Sequence, residues 1–205
     1  MADADAVHAL LRSQRACRSY DAARDVDDDA VRRILTSAQH APSAENSQPV
    51  RFVVVRDAEK RRALTDLTAK AWNAGGKAFS ESRLPERMLN EVDALATGGL
   101  ADAPVIVVVC ALTDETPKPV LAASVWPAVQ NLLTAAGAEG LGSTLTTLAT
   151  HFAADVRALL GLPDDVNVEA VIPIGWPSKP LGPPKRKPLS EVAFAEAWGE
   201  PLSEG

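Results

Sequence analysis

The chain has 205 residues, 46% of them hydrophobic and 23% charged, with a formal net charge of −6; this fits one globular domain spanning 1–205 with a real core. The acidic balance argues against general nucleic-acid binding, which draws on basic surface meeting phosphate. No apolar run approaches the roughly 20 residues that cross a bilayer, no export signal opens the chain, and Cys17 and Cys110 form neither a disulfide framework nor a zinc spacing, so the expectation is a cytoplasmic protein with no metal, membrane or nucleic-acid partner.

The N-terminus, MADADAVHALLRSQR, places acidic residues ahead of a short apolar patch. In RSQRACRSY, residues 12–20, Arg15 and Arg18 stand three apart and share a face in a helix or turn. A planar guanidinium fork suits phosphate; a solvated helix face has the same spacing. DDDAVRRILTSAQH, residues 27–40, sets Val31, Ile34, Leu35 and Ala38 at helical spacing behind aspartates that favour a helix N-terminus. Ala41 precedes Pro42, which ends that helix.

HAPSAENSQP follows. Asn46 and Gln48 each carry donors and acceptors that match one edge of a heterocycle, and the same side chains also cap an ordinary turn. RFVVV at 51–55, VIVVVC at 105–110 and NVEAVIPIGW at 167–176 read as buried strands. Helical stretches fall near 57–74, 85–97, 120–139 and 153–160, with Pro127 starting or kinking the third. Helices alternating with strands imply an α/β or α+β sheet. GAEGLGST at 137–144 ends a long helix with glycines that permit a left-handed cap and leave backbone N–H groups open. The closing arm, about 177–205, has five prolines between 177 and 188, then a short amphipathic piece with Val192, Phe194 and Trp198, as for a segment lying on another surface. Lys185, Arg186 and Lys187 are its basic cluster.

Nucleotide loops of the G-x-G-x-x-G and Walker kinds are absent from the sequence, as is H-E-x-x-H. His8, His40 and His151 stand alone, and Ser143 lacks a nucleophile-elbow frame, so no catalytic side chain is assigned.

Taken in order, R-x-x-R-x-Y, A-P-S-A-E-N-S-Q-P, G-L-G-S and I-P-I-G-W-P with K-R-K resemble the FMN-dependent nitroreductase family over most of residues 10–192. The resemblance implies an α+β fold, a central mostly antiparallel sheet flanked by helices, and an intertwined homodimer with FMN at the interface. It implies that Arg15, Arg18 and Arg186, with Lys185 as the alternative to the last, hold the FMN phosphate and ribityl oxygens, with Ala16 offering its backbone N–H. Pro42, Ser43, Asn46 and Gln48 would border the flavin of the other subunit, and Leu141, Gly142 and Ser143 would approach the ring. The implied partners are NAD(P)H and a nitroaromatic, quinone or similar conjugated acceptor, with hydride passing through flavin. Relatives with dehalogenating or flavin-fragmenting chemistry, and a flavin binder without turnover, are the alternatives. Three departures from the pattern stand out. Gln14 and Ala16 occupy R-R-S positions, Val50 replaces a frequent Trp, and residues 70–100 match no family motif.

Overall fold

A strand that is apolar at every position must be covered on both faces and both edges, and VIVVVCAL is such a strand. In the computed structural model, which describes residues 3–113 and 118–202, it forms β2 (Val105–Leu112) at the centre of a four-stranded sheet. β1 (Val50–Val55) pairs antiparallel on one side, with Val53 opposite Val108. β4 (Val166–Gly175) pairs antiparallel on the other, and the two-residue β3 (Gly142–Ser143) closes that edge, giving the order β1-β2-β4-β3.

Side-chain alternation then assigns the two layers. Val105, Val107, Val109 and Ala111 face α2 (Asp28–Gln39) and α6 (Lys118–Ala138), meeting Ile34, Val125 and Leu132. Ile106, Val108 and Cys110 face the opposite layer, where Leu64 of α3 (Ala58–Ala71), Leu95 of α5 (Glu86–Thr97) and Val156 of α7 (Ala153–Leu160) are buried. Along β4, Val166 and Val168 point to the second layer but Ala170, Ile172 and Ile174 to the first. A register shift opposite Val109 and Cys110 accounts for the change of side, because one unpaired residue turns all later side chains over.

The helix boundaries follow local chemistry. Asp27 caps α2 by accepting from the Asp29 N–H at 2.7 Å, and Asp57 caps α3 by accepting from the Lys60 N–H at 2.9 Å. Both carboxylates satisfy donors that a helix start leaves open.

Several expectations are corrected. The first helix, α1 (Ala4–Ser13), stops before Arg15, so Arg15 and Arg18 lie on extended chain and not on one helix face. β1 is a sheet edge with only Val55 fully buried, since it has a single neighbour. The helix expected to reach residue 74 gives way at Trp72 to a π-helical turn, Trp72–Gly76, followed by a short α4 (Lys77–Glu81). α6 runs through Pro127 without starting there. Its Val120–Ala138 stretch is also long and apolar enough to cross a membrane by length and composition, contrary to the sequence-based estimate; in this structure it supplies Val125, Val129, Leu132 and Ala136 to the core. The arm from 177 carries a 3-10 turn at Leu189–Glu191, an isolated bridge between Phe194 and Pro201 and a Phe194–Trp198 ring contact at 4.8 Å; its last residues, 203–205, lie outside the described chain.

Candidate functional site

Extended chain leaves backbone groups that must be paired somewhere, and residues 14–21 pair several of theirs with segments distant in sequence, at Ser143 and at residues 176–178. The Cys17 N–H donates to the Ser143 carbonyl at 2.9 Å, the Asp21 N–H to that of Trp176 at 2.9 Å, and the Ser178 N–H to that of Ser19 at 3.0 Å. The Ser19 and Ser178 hydroxyls meet at 2.6 Å. Tyr20, buried beneath this seam, donates its hydroxyl to the Cys17 carbonyl at 2.8 Å. Burial chiefly holds its phenol well above the usual range. Arg15 extends the seam, its guanidinium donating to the carbonyls of Gly182 and Pro183 at 3.0 and 3.5 Å.

Between this seam and α5 opens a cleft of about 840 Å³. Arg15, Ala16, Arg18 and Ser19 form one wall and Lys179 to Gly182 a second. The third is one face of α5, where Glu86, Arg87, Asn90, Glu91 and Ala94 recur at helical spacing. Glu91 is the electrostatic centre: its carboxylate lies 3.7 Å from Arg18, 3.4 Å from Arg87 and 3.8 Å from Lys179. The lining carries the cations Arg15, Arg18, Arg87 and Lys179 against the carboxylates Glu86, Glu91 and Asp102, so an acidic protein keeps a locally cationic hollow.

A smaller cavity of about 250 Å³ adjoins the cleft, sharing Arg15 and Leu181 with it and lined also by Leu141 and Ser143. The backbone there is less open than the glycines imply. Gly140 takes the left-handed conformation at φ 74°, but the Leu141 N–H already donates to the Ala136 carbonyl at 2.9 Å. Gly142 and Ser143 are paired with β4. A β-carbon on Gly142 would stand 2.6 Å from both Cβ and Sγ of Cys17, so close packing demands this glycine whether or not a ligand approaches it.

The 42–48 block lies apart. Ser43 and Gln48 line a separate hollow of about 120 Å³ with Arg51 and Ser124, and no residue of that lining belongs to the cleft. Pro42, Asn46 and Gln48 are exposed. The Ser43 hydroxyl accepts from the Gln48 N–H at 3.0 Å, the Gln48 amide donates to Asn46 Oδ1 at 3.1 Å, and the Ala44 N–H donates to Ser124 Oγ at 3.0 Å. Glu45, Asn46 and Gln48 all have positive φ, at 52°, 58° and 48°. Each costs a non-glycine residue on the order of 1 kcal/mol, and such concentrations of strain cluster at functional sites.

Of the arm's basic residues, Lys179 reaches the cleft wall, while Lys185 and Arg186 are not among its lining residues. Arg186 donates to its own neighbour's carbonyl, Lys185, at 2.9 Å, and Lys187 pairs with Glu191 at 3.4 Å. Lys179, Arg87 and Glu91 were missed from sequence. For Lys179 a signal existed, because P-S-K-P directly follows the strand that ends beside the N-terminal arginines. Both cysteines are buried, and burial raises the Cys17 thiol and pushes that of Cys110 up to about 11.

Comparison with known proteins agrees with this architecture. The chain is 32% identical over 183 residues to 5,6-dimethylbenzimidazole synthase of Rhodospirillum rubrum, covering 84% of this chain and 82% of that protein. It is 30% identical over 210 residues to an NADH dehydrogenase of Thermus thermophilus, covering 93% and 95%. The crystal structure of the FMN-dependent nitroreductase NfnB from Mycobacterium smegmatis in complex with NADPH superposes with a TM-score of 0.73 at 22% identity, covering 95% of this chain and 99% of that one. Residues 11–176 match the nitroreductase family as a whole, so the sheet order, the seam joining the chain's two ends and the cationic cleft beside it are those of a protein that belongs to the nitroreductase family.

Proposed function

We propose that this protein is an FMN-dependent oxidoreductase that takes hydride from NAD(P)H and passes it to a nitroaromatic, quinone or similar conjugated acceptor. The observation that carries the reading is the cationic cleft at the N-terminal seam, in a chain that belongs to this family. Its volume of about 840 Å³ lies within the range of ligand sites, and its excess of cations over carboxylates fits a phosphorylated ligand.

Arg15 and Arg18 are assigned to the phosphate and ribityl oxygens, and Ala16 offers its backbone N–H. Arg15 also fastens the arm through Gly182, a few residues before Lys185 and Arg186. Leu141, Gly142 and Ser143 are assigned to the ring, with the Leu141 N–H and the Ser143 carbonyl already committed to Ala136 and Cys17. Pro42, Ser43, Asn46 and Gln48 are assigned to the cleft of a second subunit, consistent with their separate hollow and strained turn. Exposed apolar residues support a homodimer that covers them: Leu11, Trp126, Leu189 and Val192 on the surface, and Trp198 at 91% exposure. Flavin, when bound, supplies the redox chemistry, and the chain supplies position, charge and exclusion of water.

The test is the visible spectrum of purified protein, release of the chromophore by heat, and NADH or NADPH oxidation with and without added quinone or nitroarene. Oxidation that depends on the acceptor supports the reading; a colourless protein that stays so with added FMN refutes it. The 32% identity to 5,6-dimethylbenzimidazole synthase favours flavin fragmentation as the second reading, and analysis of flavin products under reducing conditions with oxygen separates the two.

A further inference from the structure

We propose that Glu91 is a resident counter-anion of the cleft, holding Arg18, Arg87 and Lys179 together when no ligand is present and setting how tightly an anionic ligand is held. The inference rests on the reading of the cleft as a phosphorylated-flavin site.

Glu91 is the shared partner of those three cations, at 3.7, 3.4 and 3.8 Å. Its carboxylate and the Arg18 guanidinium are each about a quarter exposed, at 26% and 22%, so their attraction is screened less than that of a surface pair. Glu91 stands on α5, one turn from Arg87, while Arg18 and Lys179 come from opposite ends of the chain. One carboxylate therefore bridges all three walls. None of the three contacts is short enough for a strong charge-assisted hydrogen bond, which lies near 2.7 to 2.9 Å. The cations are gathered but not tightly engaged, and a dianionic phosphate with three acceptor oxygens competes well for them. A ligand without an anionic group has nothing to offer in exchange. Glu91 thus acts as a specificity-determining residue: its charge opposes any bound anion and leaves neutral flavins unaffected.

The experiment compares parent and Glu91→Gln apoprotein by fluorescence titration with FMN and with riboflavin, which has the same ring and no phosphate. Removal of one partly screened negative charge a few ångströms from the anion is expected to tighten FMN binding about threefold to tenfold, with riboflavin changed less than about twofold. Unchanged or weaker FMN binding by folded Glu91→Gln protein overturns the proposal, as does equal tightening for both flavins. If Glu91→Gln fails to fold, Glu91→Ser carries the same expectation. If neither parent nor variant binds any flavin, the proposed function fails independently. Inorganic phosphate then decides the inference: a larger thermal shift in the variant than in the parent supports it, and equal shifts overturn it.

Discussion

A side chain's absence is as specific as its presence where two backbones meet. At Gly142 the β-carbon of any other residue would lie 2.6 Å from the Cys17 side chain and 3.0 Å from Pro177 Cγ. Cys17 cannot yield, because it is completely buried and its N–H is committed to the Ser143 carbonyl. Gly142→Ala is therefore expected to cost about 1 to 3 kcal/mol through overpacking, read as a lower urea midpoint of the flavin-free protein. Adding Cys17→Ala restores little, because the Cys17 β-carbon is as close as its sulfur. A Gly142→Ala protein of parental stability that has lost only flavin would assign this glycine to ligand approach. The glycine motif was visible in the sequence, but its packing partner lies 125 positions away in the chain, roughly two thirds of its length, and no local pattern announces such a contact.

Among the elements, the join from α3 through the π-helical turn to α4 and α5 is held by one carboxylate. Asp93 of α5 accepts from the buried Trp72 indole N–H at 2.8 Å and pairs with Lys77 at 2.9 Å. The Trp72 hydrogen bond first, then that of Lys77, lowers the Asp93 carboxyl below its ordinary value of 3.8, and Lys77 is raised in return. Because the folded carboxyl is the more acidic, its stabilisation is present above the unfolded value and disappears as pH falls through the folded one. The parent is thus expected to lose this contribution from about pH 4 downward. Asp93→Asn, which keeps an acceptor for Trp72 but no charge for Lys77, flattens that slope and lowers stability only slightly at neutral pH, since the ion pair is partly exposed. Urea midpoints from pH 3 to 7 check both points. The strands and most helices were legible because their apolar residues recur with periods of two and 3.6. The π-helical turn was not, since Gly75 and Gly76 signal a break in a helix but not the wider turn that carries the chain from α3 into α4, within which Gly75 takes φ 157°. β3 escaped because two residues have no period at all.

In the whole molecule, the cleft joins elements that the sequence keeps far apart. Arg15 and Arg18 were legible as a motif, whereas Arg87, Glu91 and Lys179 acquire meaning only when α5 and the arm are laid against the N-terminal seam. The block from Pro42 to Gln48 was equally legible, yet within one chain it faces a different hollow. If each subunit lends that block to its neighbour's cleft, two damaged proteins must repair one another. Arg18→Ala spoils a subunit's own cleft, and replacing Ser43, Asn46 and Gln48 together by alanine spoils the wall it lends. Each variant alone is expected to be nearly inactive. Unfolded together at equal amounts and refolded, they form mixed dimers in which one cleft bears both defects and the other bears neither. Statistical mixing in a two-fold dimer then returns about one quarter of parental turnover, with a matching recovery of bound chromophore. Were the block to serve its own subunit's cleft, every cleft in the mixture would carry one defect and nothing would return. Recovery therefore measures which subunit supplies the wall, and sedimentation of the same mixture verifies that mixed dimers have formed.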